Sequence, residues 1–123
     1  MPKKDVRAFL YDILENMKDI IDFTKDMDYD EFLKDKKTQK AVIRSLEVIG
    51  EAVKNLPEDF INKYPQVPWK GMARLRDKLI HHYFGINYEI IWDIAVNKVP
   101  NDMKEIEKIL KDLEGEDENP IWN

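Results

Sequence analysis

The sequence predicts an all-α protein, an antiparallel bundle of four to five main helices with shorter helices between them. Apolar residues recur at helical spacing along nearly the whole chain. No alternating strand pattern appears, and the breaks between periodic stretches fall at proline, glycine or capping residues. Short connections favour packing of successive helices against one another. With 123 residues the chain is long enough for one hydrophobic core and short for two domains.

The first helix is read from Val6, Phe9, Leu10, Ile13, Met17, Ile20 and Ile21, with Asp5 placed to cap it. A short helical turn is expected around residues 29–33. Ala41, Val42, Ile43, Leu46, Val48, Ile49, Ala52, Val53 and Leu56 mark a longer, more apolar helix that begins near Asp35 or Thr38 and stops at Pro57. Gly50 lies inside it. Because glycine costs a helix interior about 1 kcal/mol relative to alanine, its presence there points to the close approach of a neighbouring backbone.

Pro57 and Glu58 open a short helix reaching Lys63, and residues 64–69, with two prolines, read as a connector. Pro68 fits a first helical position, and the helix it opens is expected to run to about Phe84 and end at Gly85. A further helix is expected over residues 88–97, then a separate last one from Pro100 through Ile106, Ile109, Leu110 and Leu113. Residues 1–115 thus form one domain. Residues 116–123 are acidic, lose periodicity and read as a frayed tail.

Composition narrows the chemistry. There is no cysteine, which removes disulfides, thiol nucleophiles and thiolate metal sites. Apolar stretches are only a few residues long, so no membrane span is expected. The start, MPKKDVRAFL, lacks the apolar run of a secretory leader, and a cytoplasmic location is expected. The net charge of −5 disfavours indiscriminate nucleic-acid binding. That charge is unevenly spread: residues 62–83 hold Lys63, Lys70, Arg74, Arg76 and Lys78 against Asp77 alone. A solvated lysine-rich helix face and a local anion-binding patch are both compatible with this island.

The helix carrying the island breaks its own pattern. On a wheel, Trp69, Met72, Leu79, Ile80, Tyr83 and Phe84 all lie within about 80° of Arg76. A guanidinium in an apolar stripe requires a carboxylate partner, a wet cleft or an anionic ligand. Glu51 and Glu47 on the long helix are the candidate carboxylates. His81 and His82, the chain's two histidines, sit in the last turn of the same helix. They suit proton transfer near neutral pH, or simply a capping role. Adjacent histidines diverge by about 100° on a helix, and no other ligand set clusters with them, so no metal site is expected. His81 lies about 140° from Arg76. Either the last turn unwinds before Gly85, or a cleft between two protomers collects these groups.

The string Arg76-Asp-Lys-Leu-Ile-His81-His-Tyr83 reads as R-x4-H-x-Y and resembles the signature of the HepT-like branch of the HEPN superfamily. Ile49-Gly50-Glu51-Ala52, Pro68-Trp69, Tyr83-Phe84-Gly85 and Ile91-Trp92 extend the resemblance over most of the chain. It implies a HEPN-like helical fold and a metal-independent endoribonuclease without cofactor. It further implies the toxin of a type VII-like toxin–antitoxin pair, a homodimer with both motifs flanking one cleft. The implied partner is a minimal nucleotidyltransferase antitoxin that adds AMP to a tyrosine. Carried over by position, Arg76 and His81 are the catalytic pair and Tyr83 is the modified residue. Two positions depart from the family pattern: Asp77 follows the arginine where Asn is commonest, and position 82 is His. A HEPN domain that binds nucleotides or a nucleotidyltransferase without cutting is the alternative.

The residue types fit this chemistry on their own terms. RNA supplies its own 2′-hydroxyl nucleophile, so cleavage needs proton transfer and phosphate stabilisation. His81 suits the first and the planar fork of Arg76 the second. Lys70, Arg74, Lys78 and His82 are then expected to contact the RNA, with Tyr83 or Trp69 available to stack a base. Adenylylation of Tyr83 would place bulk and negative charge beside Arg76.

Overall fold

The computed structural model describes residues 5–82 and 85–118, which form helices joined by short connections, with no strand among them. Helix α1 (Val6–Thr24) starts where the Asp5 carboxylate accepts the Arg7 N–H at 2.8 Å. Helix α2 (Tyr29–Lys34) has a reciprocal cap, in which Asp28 accepts the Glu31 N–H while the Glu31 side chain accepts the Asp28 N–H. In α3 (Lys36–Lys54) the first turn is held by Asp35, whose carboxylate accepts the Thr38 N–H at 3.0 Å and its hydroxyl at 2.7 Å. The buried Gln39 amide donates to the carbonyls of Phe32 and Leu33 and so ties the end of α2 to α3. Helix α4 (Glu58–Lys63) follows Pro57, as the proline placement predicts.

Helix α5 (Trp69–His81) is the one that matters for function. Trp69 anchors its start: the indole is buried against Phe60, and its N–H donates to the Tyr64 carbonyl at 2.9 Å. Pro68 stands one residue earlier than expected, at the N-cap. The helix also ends at His81, not near Phe84. His82 leaves helical geometry at φ −133°, its N–H still reaching the Lys78 carbonyl, and the Gly85 N–H donates to the His82 carbonyl at 3.0 Å. Gly85 therefore lies beyond the residue that ends the helix.

The expected break before Pro100 is absent. Helix α6 (Tyr88–Asp93) passes through a π-helical turn, Ile94–Lys98, straight into α7 (Val99–Glu118). The Val99 N–H bonds to the Ile94 carbonyl five residues back. A proline ring collides with the carbonyl four residues before it in a regular helix, and the widened turn just ahead of Pro100 relieves this crowding. Helix α7 also continues past Gly115 to Glu118, where periodicity alone gave a frayed tail.

α3 lies between α1 and α5, and α1 packs on its other flank against α7. The core is built from Leu10, Ile13, Met17 and Ile20 of α1, Val42, Leu46, Ile49 and Val53 of α3, and Ile106 and Ile109 of α7. Trp69 and Leu79 are the buried anchors of α5. A second aromatic cluster, with Phe32 and Trp92 ring centroids 5.2 Å apart, joins α2 to α6. Among the described residues no helix is long and apolar enough to cross a membrane.

Candidate functional site

The seam between α3 and α5 is set by Gly50. A Cβ at that position would stand 2.2 Å from the Arg76 Cβ and 2.8 Å from the Met72 carbonyl oxygen, so only glycine lets the two helices come this close. The expected close approach is present, and what lodges over the glycine is the root of Arg76. This contact fixes where the guanidinium goes. Arg76 Nη2 meets Glu51 Oε2 at 2.9 Å, and Nη1 meets Asp77 Oδ1 at 3.0 Å. Of the two carboxylates expected from the sequence, Glu51 is thus the partner, and Glu47 instead pairs with Arg44 at 3.5 Å.

Asp77 also accepts from Lys54 Nζ at 3.1 Å, giving a chain of charges Lys54, Asp77, Arg76, Glu51 across the seam. The hydrogen bond from Lys54, then that from Arg76, lowers the Asp77 carboxyl below its ordinary range. Sequence reasoning missed the Lys54 to Asp77 contact. Nothing in linear spacing pairs those positions, since the pairing depends on how closely Gly50 lets the helices approach.

Arg76 is mostly sheltered, with 23% side-chain exposure, whereas Glu51 at 55% and Asp77 at 45% are open to water. Its Nε is buried and makes no hydrogen bond among the described residues. The guanidinium faces an open groove of about 320 Å³ whose walls include Phe9, Asp12, Glu51, Asn55 and Ile80. Two of the three options for Arg76 are therefore realised together: a carboxylate pair and a wet groove.

The histidines lie elsewhere. α5 keeps helical geometry to its last residue, His81, so the unwinding that would swing His81 toward Arg76 does not occur before that point. On a regular helix five positions separate their Cα atoms by about 7.5 Å along the axis and about 140° around it. His81 and His82 are both exposed. Tyr83 lies outside the described residues.

Helical register adds an observation that was available in the sequence. Lys70, Arg74, Lys78 and His81 all fall within about 80° of one another, on the side of α5 opposite Arg76. All four are exposed. Lys70 has a loose surface pair with Glu58 at 3.6 Å, while Arg74 and Lys78 make no ion pair among the described residues. His82 borders a further hollow with Lys78, Ile86, Asn87 and Ile90. One chain therefore brings Lys70, Arg74, Lys78 and His81 onto one face and holds Arg76 on the other. Among the described residues no group of three or more His, Asp or Glu side chains is placed to hold a metal ion.

Comparison with known proteins follows the motif. The chain is 92% identical over 121 residues to the "Putative RNase MJ0127" of Methanocaldococcus jannaschii, covering 98% of this chain and 100% of that protein. It is 57% identical over 121 residues to the "Putative RNase MJ1216" of the same organism, with 98% and 100% covered. The "Probable ribonuclease HepT" of Thermococcus cleftensis is 46% identical over 109 residues, with 89% and 99% covered. No solved structure matches. The family described as ribonuclease HepT-like matches residues 13–109, which span α3, α5 and the whole Arg76 to His81 motif, and the chain belongs to that family.

Proposed function

We propose that this protein is a metal-independent endoribonuclease, acting as the toxin of a pair whose other member is a minimal nucleotidyltransferase antitoxin. The observation that carries the reading is Arg76: a guanidinium rooted in the helix seam, opening into a groove and held only by carboxylates about half exposed. Solvent-accessible ion pairs are weak, on the order of 0–1 kcal/mol. A bidentate guanidinium–phosphate fork is stronger, so an RNA phosphate can displace Glu51 and Asp77 from Arg76. Membership of a ribonuclease family supports the same class of chemistry.

In the proposed reaction the 2′-oxygen attacks phosphorus and the P–O5′ bond breaks, leaving a 2′,3′-cyclic phosphate and a 5′-hydroxyl. A neutral His81 takes the 2′-hydroxyl proton, and a protonated His81 from the other protomer supplies one to O5′. Arg76 holds the non-bridging oxygens as negative charge gathers on them. Lys70, Arg74, Lys78 and His82 contact the flanking backbone. A homodimer answers the geometry: with Arg76 and His81 about 140° apart on a regular helix, a second protomer is needed for both to reach one phosphate. Ile80, 40% exposed and lying between them in helical register, is the apolar contact for that protomer. AMP added to Tyr83, by the nucleotidyltransferase, would bring a negative charge close to the motif and block phosphate binding.

The test is RNA incubated with the purified protein in EDTA. Cleavage yielding cyclic phosphate ends, lost in Arg76→Ala and in His81→Ala, is the expected result; no cleavage by folded, dimeric, unmodified wild type overturns the proposal. Mass spectrometry after incubation with ATP and the cognate nucleotidyltransferase should show added AMP that Tyr83→Phe abolishes. A HEPN module that binds without cutting is the second reading, favoured by the in-chain pairing of Arg76 with Glu51 and Asp77. An inert but RNA- or nucleotide-binding wild type would select it.

A further inference from the structure

α5 leans on α3 but stands off from the π-helical turn and α7, and the space between them is a pocket of about 480 Å³. Its floor is apolar, formed by Leu46, Ile49, Met72 and Leu75, with Ile94 of the π turn opposite. Its lining also includes Arg74 and Lys78 from α5 and Lys98 from the π turn. None of these three cations has an ion pair among the described residues. In a chain of net charge −5, three cations without a salt bridge around one apolar hollow suit an anion with an apolar body.

Two further observations distinguish this hollow from a packing fault. Gly71 lines it, and unlike Gly50 it is not required by packing: a Cβ there would meet only the Pro68 Cβ, at 3.9 Å. Glycine weakens a helix relative to alanine, and here the missing side chain leaves the pocket open. Asp102 is the one carboxylate in the wall and is half-buried. Burial pushes its carboxyl above the ordinary aspartate range, against the opposing pull of Lys98. It makes no hydrogen bond among the described residues, and as a half-buried group it stays partly open to the hollow.

We propose that this pocket is a base subsite for a nucleotide of the RNA substrate, with the base between the α5 and π-turn walls and its phosphates on Arg74, Lys78 and Lys98. The proposal rests on the ribonuclease reading for the identity of the ligand. Arg74, Lys78 and His81 follow one another at four- and three-residue intervals. That spaces them about 6 and 4.5 Å along the helix axis, so a strand gripped in the pocket continues toward His81. Asp102 then faces the edge of the base and accepts a hydrogen bond from an exocyclic amine, as a carboxylate does from the amine of cytosine. Cytidine is accordingly preferred over uridine, which carries a carbonyl at that position.

The experiment is binding of 2′-O-methyl tetranucleotides, which resist cleavage, followed by calorimetry or fluorescence anisotropy. Wild type should bind the cytidine oligonucleotide about tenfold more tightly than the uridine one, the worth of one directed hydrogen bond. Asp102→Ala should erase that difference, and Gly71→Leu, which fills the pocket, should weaken both by about tenfold or more. Equal binding of the two oligonucleotides by wild type, together with unchanged affinity in Gly71→Leu, overturns the subsite. So does a Gly71→Leu protein that loses its dimer and keeps its RNA affinity, which would make the pocket a contact between copies of the chain. Should Gly71→Leu fail to fold, the Arg74→Glu, Lys98→Glu double variant decides: retained affinity and an unchanged salt dependence overturn the proposal. A protein that binds with this preference but never cuts refutes the nuclease and leaves the subsite standing; one that cuts, with Gly71→Leu binding normally, does the reverse.

Discussion

The two sides of α5 are built on opposite rules. Toward α3, a glycine removes the last obstacle and the helices touch backbone to side chain, with Arg76 lodged over Gly50. Toward the π turn and α7, a glycine has room for a methyl group and the helices stay apart. The same residue type thus marks a seam that cannot be widened and a cleft that is not filled. Charge follows the same division: on the tight side Lys54 and Arg76 are answered by the carboxylates of Asp77 and Glu51. On the open side Arg74, Lys78 and Lys98 have no salt bridge among the described residues, and Lys98 acts only at longer range on Asp102. Under the proposed function, the close-packed side aims one guanidinium and the open side receives the RNA.

The largest effect that would break this contrast is on catalysis. Arg76→Ala is expected to lower RNA cleavage by about 100-fold or more, as loss of a transition-state charge clamp does, measured as initial rate against wild type. Arg76→Met should nevertheless cost about 1 kcal/mol or less in urea unfolding, because its partners are solvent-accessible. A loss of several kcal/mol would instead make Arg76 a structural residue.

The two glycines come next, and they should move in opposite directions. Gly50→Ala overpacks the seam and is expected to destabilise by about 1–3 kcal/mol in urea unfolding, with cleavage falling as Arg76 is displaced. Gly71→Ala reduces the freedom of the unfolded chain at a site with room for a methyl group. It should be neutral or stabilising by up to about 1 kcal/mol. If both lose stability alike, the contrast between the two sides is wrong.

The smallest effects are pH-dependent and also opposite in sign. Asp77 has a lowered pKa, so its contribution is present above the ordinary aspartate range and disappears as pH falls through the lowered value. The stability gap between wild type and Asp77→Asn should therefore close on acidification. Asp102 has a raised pKa from burial, so its ionised form is a liability at neutral pH. Asp102→Asn should raise the melting temperature at pH 7, and the gain should shrink as pH falls through the raised value and be gone below the ordinary aspartate range. Thermal melts of both variants across pH would show whether the signs differ.

How much of this was legible in the sequence depended on range. Capping by Asp5 and Asp35, the helical stripes and the closeness at Gly50 are local, and a chain reports local preferences directly. The anomaly of Arg76 was legible because a charge in an apolar stripe conflicts with its own neighbourhood. What escaped was set by more than one segment at once. The end of α5 at His81, short of the glycine expected to stop it, is one such feature. The bond of Lys54 to Asp77 depends on the distance between two helices. The pocket depends on α5 not reaching α7, and no single stretch encodes a gap. Pro100 misled because proline usually ends or begins a helix, and here the chain widened one turn instead.

That widened turn has a consequence for phase. A π turn carries one residue more than the α turn it replaces, so everything after it is rotated by about 100° relative to an uninterrupted helix. The turn works as a one-residue frameshift written into the helix. It sets the angle at which Ile94 and Lys98, the first and last residues of the turn, and Asp102, downstream of it, present themselves to a common hollow. Pro100 is the residue that keeps this phase from relaxing, which makes a residue with no backbone N–H the clockmaker of that wall.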